Sequence, residues 1–409
     1  MISDDLSNCF VRTLMGWLCW SGQSSQRQST IELALSFHLR LHRSLLSIII
    51  ISSRRKMSKR RPVISVFTFV ENVPSLLRET KLPLVEISDP ALQGRGATIS
   101  FDASRLTPET CQQLNDAEIL ITEPAALAQL IQHLPLSNLK WCQSTYAGVD
   151  PLFTTPGVPL PLPFTVTRCG GMFGPPIAEW CLARIIGHER NFQSSFQDQQ
   201  RKEWLGSSDT LQYRYLSDLT LTILGCGDIG LTIARAAKAF GMRVVGYSRS
   251  IKDNKELDMS ETNLVTALQQ ADYVVSVLPS TQATRGLLST DVFQNCNTQK
   301  GGKSPVFVNV GRGDVTSTAA IVSALDANNL SAAILDVFEE EPLSKENPLW
   351  SHPKVVVSPH ISGLTRPSDV PNLVKENYER YVDGSELKFA VDWDKAYYCL
   401  LYTSPSPRD

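Results

Sequence analysis

Several features that would point to a membrane, a metal or a nucleic acid are missing from this sequence. The longest apolar run, Leu45 to Ile51, is far shorter than the roughly 20 residues that a membrane-spanning helix needs. The nine cysteines form no C-x-x-C pair and no Cys and His spacing typical of zinc, so we expect reduced thiols and no metal. The net charge of −2 provides no overall positive field for nucleic acid or an anionic membrane. A small-molecule partner is therefore expected.

The composition is that of an ordinary globular protein. The chain has 409 residues, of which 42% are hydrophobic and 20% charged. This length is sufficient for two domains, each with a core of its own.

The two ends differ in character from the rest of the chain. Residues 1–56 are rich in Ser, Arg and Leu and end in a basic cluster just before Met57. A transit peptide would have this composition, but Asp4 and Asp5 stand where such peptides avoid acids. We therefore interpret residues 1–57 as a misread leader outside the fold, and expect a cytoplasmic protein, or a mitochondrial one if the leader is real. The last segment, CLLYTSPSPRD (399–409), resembles a translated sequencing adapter and is set aside.

From Pro62 onward, short β-branched runs alternate with helical stretches. The runs are PVISVFTF, LPLVEI, AEILIT and LKWCQS, and a helix is expected from about Pro74 to Thr80. This alternation predicts a parallel sheet with crossover helices. The Pro-rich passage Pro151 to Pro163 is predicted to be irregular and to close this first unit.

A second alternating series predicts a second α/β domain. A helix over Ile177 to Ile186 should connect the two units. It is followed by LTLTIL, the helix LTIARAAKAF, RVVGY, YVVSVL, VFVNV, AAILDVF and KVVVS. We therefore predict an α/β protein with two doubly wound parallel-sheet domains, the second a Rossmann dinucleotide-binding domain. The predicted boundaries are 58–166 plus 362–398 for the substrate (catalytic) domain and 167–361 for the dinucleotide-binding domain.

A glycine motif marks the start of the second domain. Gly225, Gly227 and Gly230 form G-x-G-x-x-G directly after the strand LTLTIL and directly before a helix. The glycines permit a tight turn, close approach of the backbone to a pyrophosphate, and packing of the helix on the strand. We expect a dinucleotide to contact this loop, including Asp228 and Ile229.

The end of the next strand indicates which dinucleotide is bound. NAD enzymes carry an acidic residue there, roughly 20 residues beyond the glycines, to bind the adenosine ribose. Here RVVGY runs into Ser248, Arg249 and Ser250, with no acid until Asp253. A guanidinium and two hydroxyls suit the 2′-phosphate of NADPH, which a carboxylate would repel. The sequence therefore predicts NADPH, with NADH as second choice.

Three polar residues follow successive strands of the second domain. Arg312 follows VFVNVG, Glu341 follows AAILDVFEE, and His360 follows KVVVSP. Each residue alone is more often a surface or structural residue than a functional one. Ligands of parallel sheets bind at the carboxyl ends of the strands, so the three side chains are expected at one edge. An acid, an imidazole and a fixed cation beside a dinucleotide loop are what hydride transfer to a carbonyl requires.

Successive blocks of the chain resemble the signature motifs of the D-2-hydroxyacid dehydrogenases. The blocks are LGCGDIG, ADYVVSVLPSTQATRGLL, VNVGRGDV, LDVFEEEPLSKENPLW and SPHISG, and the resemblance extends over roughly Pro62 to Tyr397. Within that family, PHISGLTRPSD is most like the glyoxylate/hydroxypyruvate reductase A type.

The resemblance implies roles for individual residues. Arg312 would hold the substrate carboxylate and carbonyl, His360 would donate the proton, and Glu341 would stabilise the imidazolium. The STYAGVD loop would bind the substrate carboxylate through its backbone amides, although Tyr146 departs from the small residue often found there. The residues implied at these backbone amides are Ala147, Gly148 and Val149. Those implied at the nicotinamide end of the cofactor are Pro279, Val310, Gly311, Asp336 and His360.

The function implied is reduction of a small 2-keto acid, glyoxylate or hydroxypyruvate, to the D-2-hydroxy acid. A phosphoglycerate dehydrogenase-like enzyme is the first alternative, weakened because no regulatory domain follows. A non-enzymatic, nucleotide-sensing protein similar to the C-terminal binding protein corepressors is the second, because those proteins retain the same Arg, Glu and His. The family also implies a homodimer.

Overall fold

Two parallel sheets carry the fold, as the sequence predicts. The computed structural model describes residues 61–91, 101–204, 213–297 and 304–393. The leader 1–57 and the tail 399–409 lie outside these residues. The interpretations of their origin therefore stay predictions. None of the helices in the described ranges is both long enough and apolar enough to span a membrane.

The first sheet has five strands in the order β2-β1-β3-β4-β5, all parallel. Its strands are β1 (Ile64–Val66), β2 (Leu84–Glu86), β3 (Ile119–Thr122), β4 (Trp141–Ser144) and β5 (Thr165–Thr167). The chain reverses its direction of travel across the sheet between β1 and β3. In doubly wound folds the crevice at such a switch point is where ligands bind.

The second sheet has seven strands in the order β12-β11-β10-β9-β6-β7-β8, again all parallel. Its strands are β6 (Thr220–Leu224), β7 (Arg243–Tyr247), β8 (Met259–Glu261), β9 (Tyr273–Ser276), β10 (Val306–Asn309), β11 (Ala332–Leu335) and β12 (Val355–Val357). The switch point lies between β6 and β9. This is the Rossmann arrangement, and the predicted fold class is confirmed.

Helices connect the strands and cover the sheets. They are α1 (Val73–Glu79), α2 (Pro108–Asp116), α3 (Pro124–His133), α4 (Asp150–Thr154), α5 (Gly174–Glu189), α6 (Phe192–Arg201), α7 (Asp228–Ala239), α8 (Leu264–Gln269), α9 (Thr290–Gln294), α10 (Thr318–Asp326) and α11 (Val370–Asp383). Every residue of β3, β6, β9, β10 and β11 is buried. Strands buried on both faces are continuous apolar runs, which is why the sequence shows runs there rather than alternation.

The structure corrects the prediction for the Pro-rich passage 151–163. Its first residues belong to α4, which begins at Asp150 with Pro151 in its first turn. Proline is well tolerated there because the first N–H groups of a helix have no partner within the helix. The passage also does not close the first unit, because β5 follows it and pairs with β4.

The end of the described chain returns to the first sheet. The Tyr378 hydroxyl of α11 donates to the Pro62 carbonyl oxygen over 2.9 Å, and the Val391 amide donates to the Val166 carbonyl oxygen over 2.8 Å. Buried Asn377 donates to Gln143 of β4 over 3.1 Å. Residues near both ends of the described chain are thus hydrogen-bonded to one another at the first sheet. The boundaries proposed from the sequence stay predictions.

Candidate active site

Arg312, Glu341 and His360 follow neighbouring strands of the second sheet. Arg312 comes after β10, Glu341 after β11, and His360 after β12. The three strands are adjacent and parallel, so their carboxyl ends share one edge. The fold therefore places these three loops side by side.

His360 and Glu341 form a hydrogen-bonded pair. The imidazole Nδ1 and the Glu341 Oε2 lie 2.7 Å apart, and the side chains are 46% and 34% exposed. The other carboxylate oxygen, Oε1, accepts from the Phe338 amide over 2.9 Å. Burial disfavours the charged carboxylate, but the hydrogen bond and charge of His360, then the Phe338 amide and Arg312, outweigh it and lower the pKa of Glu341. Glu341 is therefore held as a carboxylate against the imidazole.

Asp336 fixes the loop that carries His360. Its side chain is fully buried, and its Oδ1 accepts from the Ser358 hydroxyl over 2.5 Å and from the Ile361 amide over 3.0 Å. Its Oδ2 accepts from the Ser362 amide over 2.8 Å. These bonds hold His360 at a left-handed φ of 53°. The role implied for Asp336 at the nicotinamide stays a prediction.

Arg312 lies against the STYAGVD loop. A Cβ added to Gly148 would stand only 2.2 Å from Arg312 Nη2, so the guanidinium packs on the bare backbone there. Arg312 Nε and Nη2 both donate to Asp150 Oδ2, over 3.1 and 2.9 Å. Asp150 was missed from the sequence, because no motif reveals a contact between residues 162 positions apart.

The predicted amide site occupies the residues just before Asp150. Ala147 and Gly148 are partly exposed, and Val149 is buried. In the described ranges, no residue accepts a hydrogen bond from these three backbone amides. Amides beside a guanidinium suit an anion such as a carboxylate.

The glycine loop has the shape that a diphosphate needs. Gly225 has a φ of 104°, and a Cβ on Gly230 would lie 2.1 Å from the Gly225 carbonyl oxygen, so both positions require glycine. A Cβ on Gly227 would meet no atom within 4 Å, which leaves space in front of the loop. Helix α7 begins at Asp228, next to that space, with its N-terminal amides. These residues could hold a dinucleotide.

The residues after β7 lie at the surface. Arg249 and Ser250 are exposed, whereas the Ser248 hydroxyl donates to the Ser250 carbonyl oxygen over 2.6 Å and so closes the turn. The predicted nicotinamide-side residues differ in exposure, because Pro279 is partly exposed while Val310 and Gly311 are buried. Their contacts with a cofactor stay predictions.

The arrangement allows the imidazole of His360 to exchange a proton from a fixed position. Because Nδ1 of His360 contacts Glu341, Nε2 is the ring nitrogen that can exchange a proton with a substrate. Arg312, whose charge acts on Glu341, provides positive charge and N–H donors and packs on the Gly148 backbone. In the described part of the chain, no group of three or more His, Cys, Asp or Glu could hold a metal ion.

Sequence comparison identifies the family to which the chain is similar. The model of the D-isomer specific 2-hydroxyacid dehydrogenase NAD binding domain matches residues 182–362. A glyoxylate/hydroxypyruvate reductase A from Yersinia enterocolitica is 29% identical over 303 residues, which cover 72% of this chain and 94% of the relative.

Solved structures show the same relationship. An NADPH-dependent glyoxylate/hydroxypyruvate reductase from Sinorhizobium meliloti, in complex with NADP and sulfate, is 27% identical with a TM-score of 0.66, covering 83% of this chain and 100% of that one. A D-isomer specific 2-hydroxyacid dehydrogenase family protein from Aeromonas salmonicida is 31% identical with a TM-score of 0.70, covering 82% of this chain and 100% of that one. The chain therefore belongs to the D-isomer specific 2-hydroxyacid dehydrogenases, a family of oxidoreductases.

Proposed function

We propose that this enzyme reduces a small 2-keto acid, glyoxylate or hydroxypyruvate, to the D-2-hydroxy acid with NADPH. The observation that carries the proposal is the 2.7 Å contact between His360 and Glu341 on the same sheet as the glycine loop. The names of the Yersinia and Sinorhizobium relatives support the choice of substrate.

The chain's own residues have distinct parts in the proposed reaction. NADPH, when bound, supplies the hydride. Arg312 and the amides of the Ala147–Val149 loop bind the substrate carboxylate and orient the carbonyl. His360, as the imidazolium, gives its Nε2 proton to the carbonyl oxygen, and the Glu341 carboxylate stabilises the charge on the ring.

The choice of NADPH rests on the end of β7. Arg249 is exposed there, so its guanidinium is accessible to a 2′-phosphate. The Sinorhizobium relative, solved with NADP, supports the same choice.

Steady-state kinetics test both parts of the proposal. We expect turnover of glyoxylate and hydroxypyruvate with a higher kcat/KM for NADPH than for NADH. Arg249→Ala should raise the KM for NADPH at least about tenfold, consistent with loss of a charge-assisted hydrogen bond, and change the use of NADH little. The matched control is Arg243→Ala, at the exposed start of the same strand. Equal kcat/KM for the two cofactors contradicts the NADPH assignment, and absence of keto-acid turnover contradicts the reductase.

A homodimer is also part of the proposal. Phe192 and Phe196 stand one helical turn apart on α6 and are 59% and 62% exposed, and Trp204 beyond the helix is 95% exposed. Large aromatic side chains that are exposed in this way are typical of protein interfaces. The cytoplasmic location stays a prediction, because it depends on residues outside the described ranges.

A further inference from the structure

Asp150 forms a two-point hydrogen-bonded contact with the predicted substrate-binding arginine. Two N–H groups of Arg312, on Nε and Nη2, donate to the same oxygen, Asp150 Oδ2. A third, on Nη1, donates to the Gly311 carbonyl oxygen over 2.8 Å. An arginine side chain loses rotamer entropy when it is fixed, so contacts that fix it in advance remove that cost from substrate binding.

The same contact involves the predicted amide loop. Asp150 directly follows Ala147–Val149, and a Cβ on Gly148 would lie 2.8 Å from Asp150 Oδ2 as well as 2.2 Å from Arg312 Nη2. Carboxylate, guanidinium and glycine backbone therefore pack as one unit. The unit joins the first sheet, which carries Asp150 after β4, to the second sheet, which carries Arg312 after β10.

Asp150 is anchored in its place. It is the first residue of α4, between buried Val149 and buried Leu152, and the Leu152 amide donates to the Val149 carbonyl oxygen over 3.0 Å. A substrate that displaced Asp150 from Arg312 would have to move this packed turn. The anchoring favours a carboxylate that stays with Arg312 while substrate binds.

The pair is charged under ordinary conditions. Burial favours the neutral acid, but the charge and hydrogen bonds of Arg312, together with the charge of Arg285, outweigh burial and lower the pKa of Asp150. The side chains of Asp150 and Arg312 are 37% and 28% exposed. A partly buried ion pair of this kind fixes geometry more strongly than an exposed one.

We infer that Asp150 is a positioning residue, which holds the Arg312 guanidinium against the Gly148 backbone and so assembles the substrate-carboxylate site before substrate arrives. This inference rests on the proposed function, because it assigns Arg312 to the substrate. Asp150 itself is not required to touch the keto acid or the cofactor.

Asp150→Ala and Asp150→Asn test the inference in the full-length protein. Asp150→Ala should raise the KM for glyoxylate at least about tenfold and leave the KM for NADPH within about twofold. Asp150→Asn should have an intermediate effect, because its amide oxygen still accepts from Arg312 without the charge. Asp116→Asn, an exposed aspartate at the end of α2, is the matched control and should behave as wild type.

Calorimetric binding of oxamate, a keto-acid analogue, to the NADPH-loaded protein provides a second readout. Its Kd should rise by the same factor as the KM, with thermal unfolding of Asp150→Asn close to wild type. A lower KM or Kd in the variants would show that Asp150 competes with substrate, and unchanged values would show that Arg312 is positioned without it. Either outcome overturns the inference while wild-type turnover stands. Absence of wild-type turnover contradicts the proposed function, and this inference with it.

Discussion

At the scale of single residues, two carboxylates lie at the same edge of the second sheet. Their environments differ. Glu341 is partly exposed and contacts the imidazole of His360 directly. Asp336 is fully buried, and its carboxylate accepts hydrogen bonds from the loop around His360. Glu341 therefore sets the charge at the imidazole, while Asp336 sets the position of its backbone.

The first prediction concerns His360. His360→Ala should lower kcat for keto-acid reduction by about 10²- to 10⁴-fold, the usual contribution of general acid catalysis, because it removes the imidazole that is proposed to protonate the carbonyl oxygen. The Kd for NADPH, measured by quenching of protein fluorescence, should change little. His133→Ala, an exposed histidine at the end of α3, is the control. Near-normal kcat in His360→Ala removes this residue from the mechanism.

The direction in which reductive kcat changes with pH follows from the lowered pKa of Glu341. A carboxylate with a lowered pKa stays ionised to lower pH than usual and is lost only as the pH falls through that lowered value. Reduction needs the Glu341 charge beside the imidazole, so reductive kcat should fall as that charge is lost. On the acid side, loss of the Glu341 charge should begin below the ordinary glutamate value of 4.5.

The glycine loop and α7 show how local geometry determines an element. Gly230 packs on the Gly225 carbonyl, whereas Gly227 faces open space and has a φ of −91°, which any residue adopts. The two glycines stand three residues apart but have separate requirements. One allows the helix to contact the strand, and the other leaves room in front of the helix.

The second prediction uses this pair. Gly230→Ala should destabilise the fold by about 1 to 3 kcal/mol, because the new methyl group overlaps a backbone oxygen that cannot move away cheaply. Gly227→Ala should keep the melting temperature and raise the Kd for NADPH. Thermal unfolding and calorimetric titration separate the two effects. A stable Gly230→Ala, or a Gly227→Ala with unchanged affinity, contradicts the account.

The sequence predicts the elements of the second sheet better than its loops. RVVGY coincides with β7, and the apolar runs identify β6, β9, β10, β11 and β12. Strands β5 and β8 were missed, because each has only three residues and neither is a continuous apolar run. Helix α7 begins at Asp228, three residues before the predicted Leu231, because the glycine loop leads straight into it.

The site could be predicted only where residues follow strands. Arg312, Glu341 and His360 were found because parallel strands bring their ends together, although their roles stay predictions. Asp150 was not found, because its contact with Arg312 joins two sheets and leaves no periodicity or spacing in the sequence. Contacts between distant loops depend on packing that a single sequence does not display.

At the scale of the whole molecule, a buried ion network joins three segments at the amino ends of the second sheet's strands. Arg214 donates to Glu189 of α5 over 2.5 Å and to Asp272 over 3.1 Å, and the Tyr273 hydroxyl donates to Glu189 over 2.7 Å. Burial opposes the charge of Glu189, but Arg214 and Tyr273 outweigh it and lower its pKa. Helix α5 is thereby tied to the start of β9.

The third prediction follows from this network. Glu189→Ala should lower the free energy of unfolding by about 1 to 3 kcal/mol, because Arg214 and Tyr273 lose a buried acceptor while Arg214 keeps Asp272. Since the folded pKa of Glu189 is lowered, its contribution is complete above the unfolded value near 4.5 and is lost as the pH falls towards the folded value. Urea unfolding at several pH values should therefore show that the difference in free energy of unfolding between the wild type and Glu189→Gln becomes smaller in acid. Glu179 is exposed on the same helix, so Glu179→Gln should show no such difference in free energy of unfolding from the wild type.

The fourth prediction concerns assembly. A double variant, Phe192→Ser with Phe196→Ser, should sediment as a monomer, whereas we expect the wild type to sediment as a dimer, because the substitutions remove apolar area from the exposed face of α6. Phe240→Ser, at the equally exposed end of α7, is the control and should stay dimeric. A monomeric wild type, or a dimeric double variant, contradicts the proposed interface.

The return of α11 to the first sheet has a consequence for synthesis on the ribosome. A growing chain emerges from its amino end, so β1 to β5 leave the exit tunnel first, yet their partners Asn377, Tyr378 and Val391 are among the last described residues to appear. All seven strands of the second sheet, which end at Val357, are translated before that happens. The part of the chain that is made first is thus completed last, and its apolar surface is open to chaperones for most of the time that translation takes.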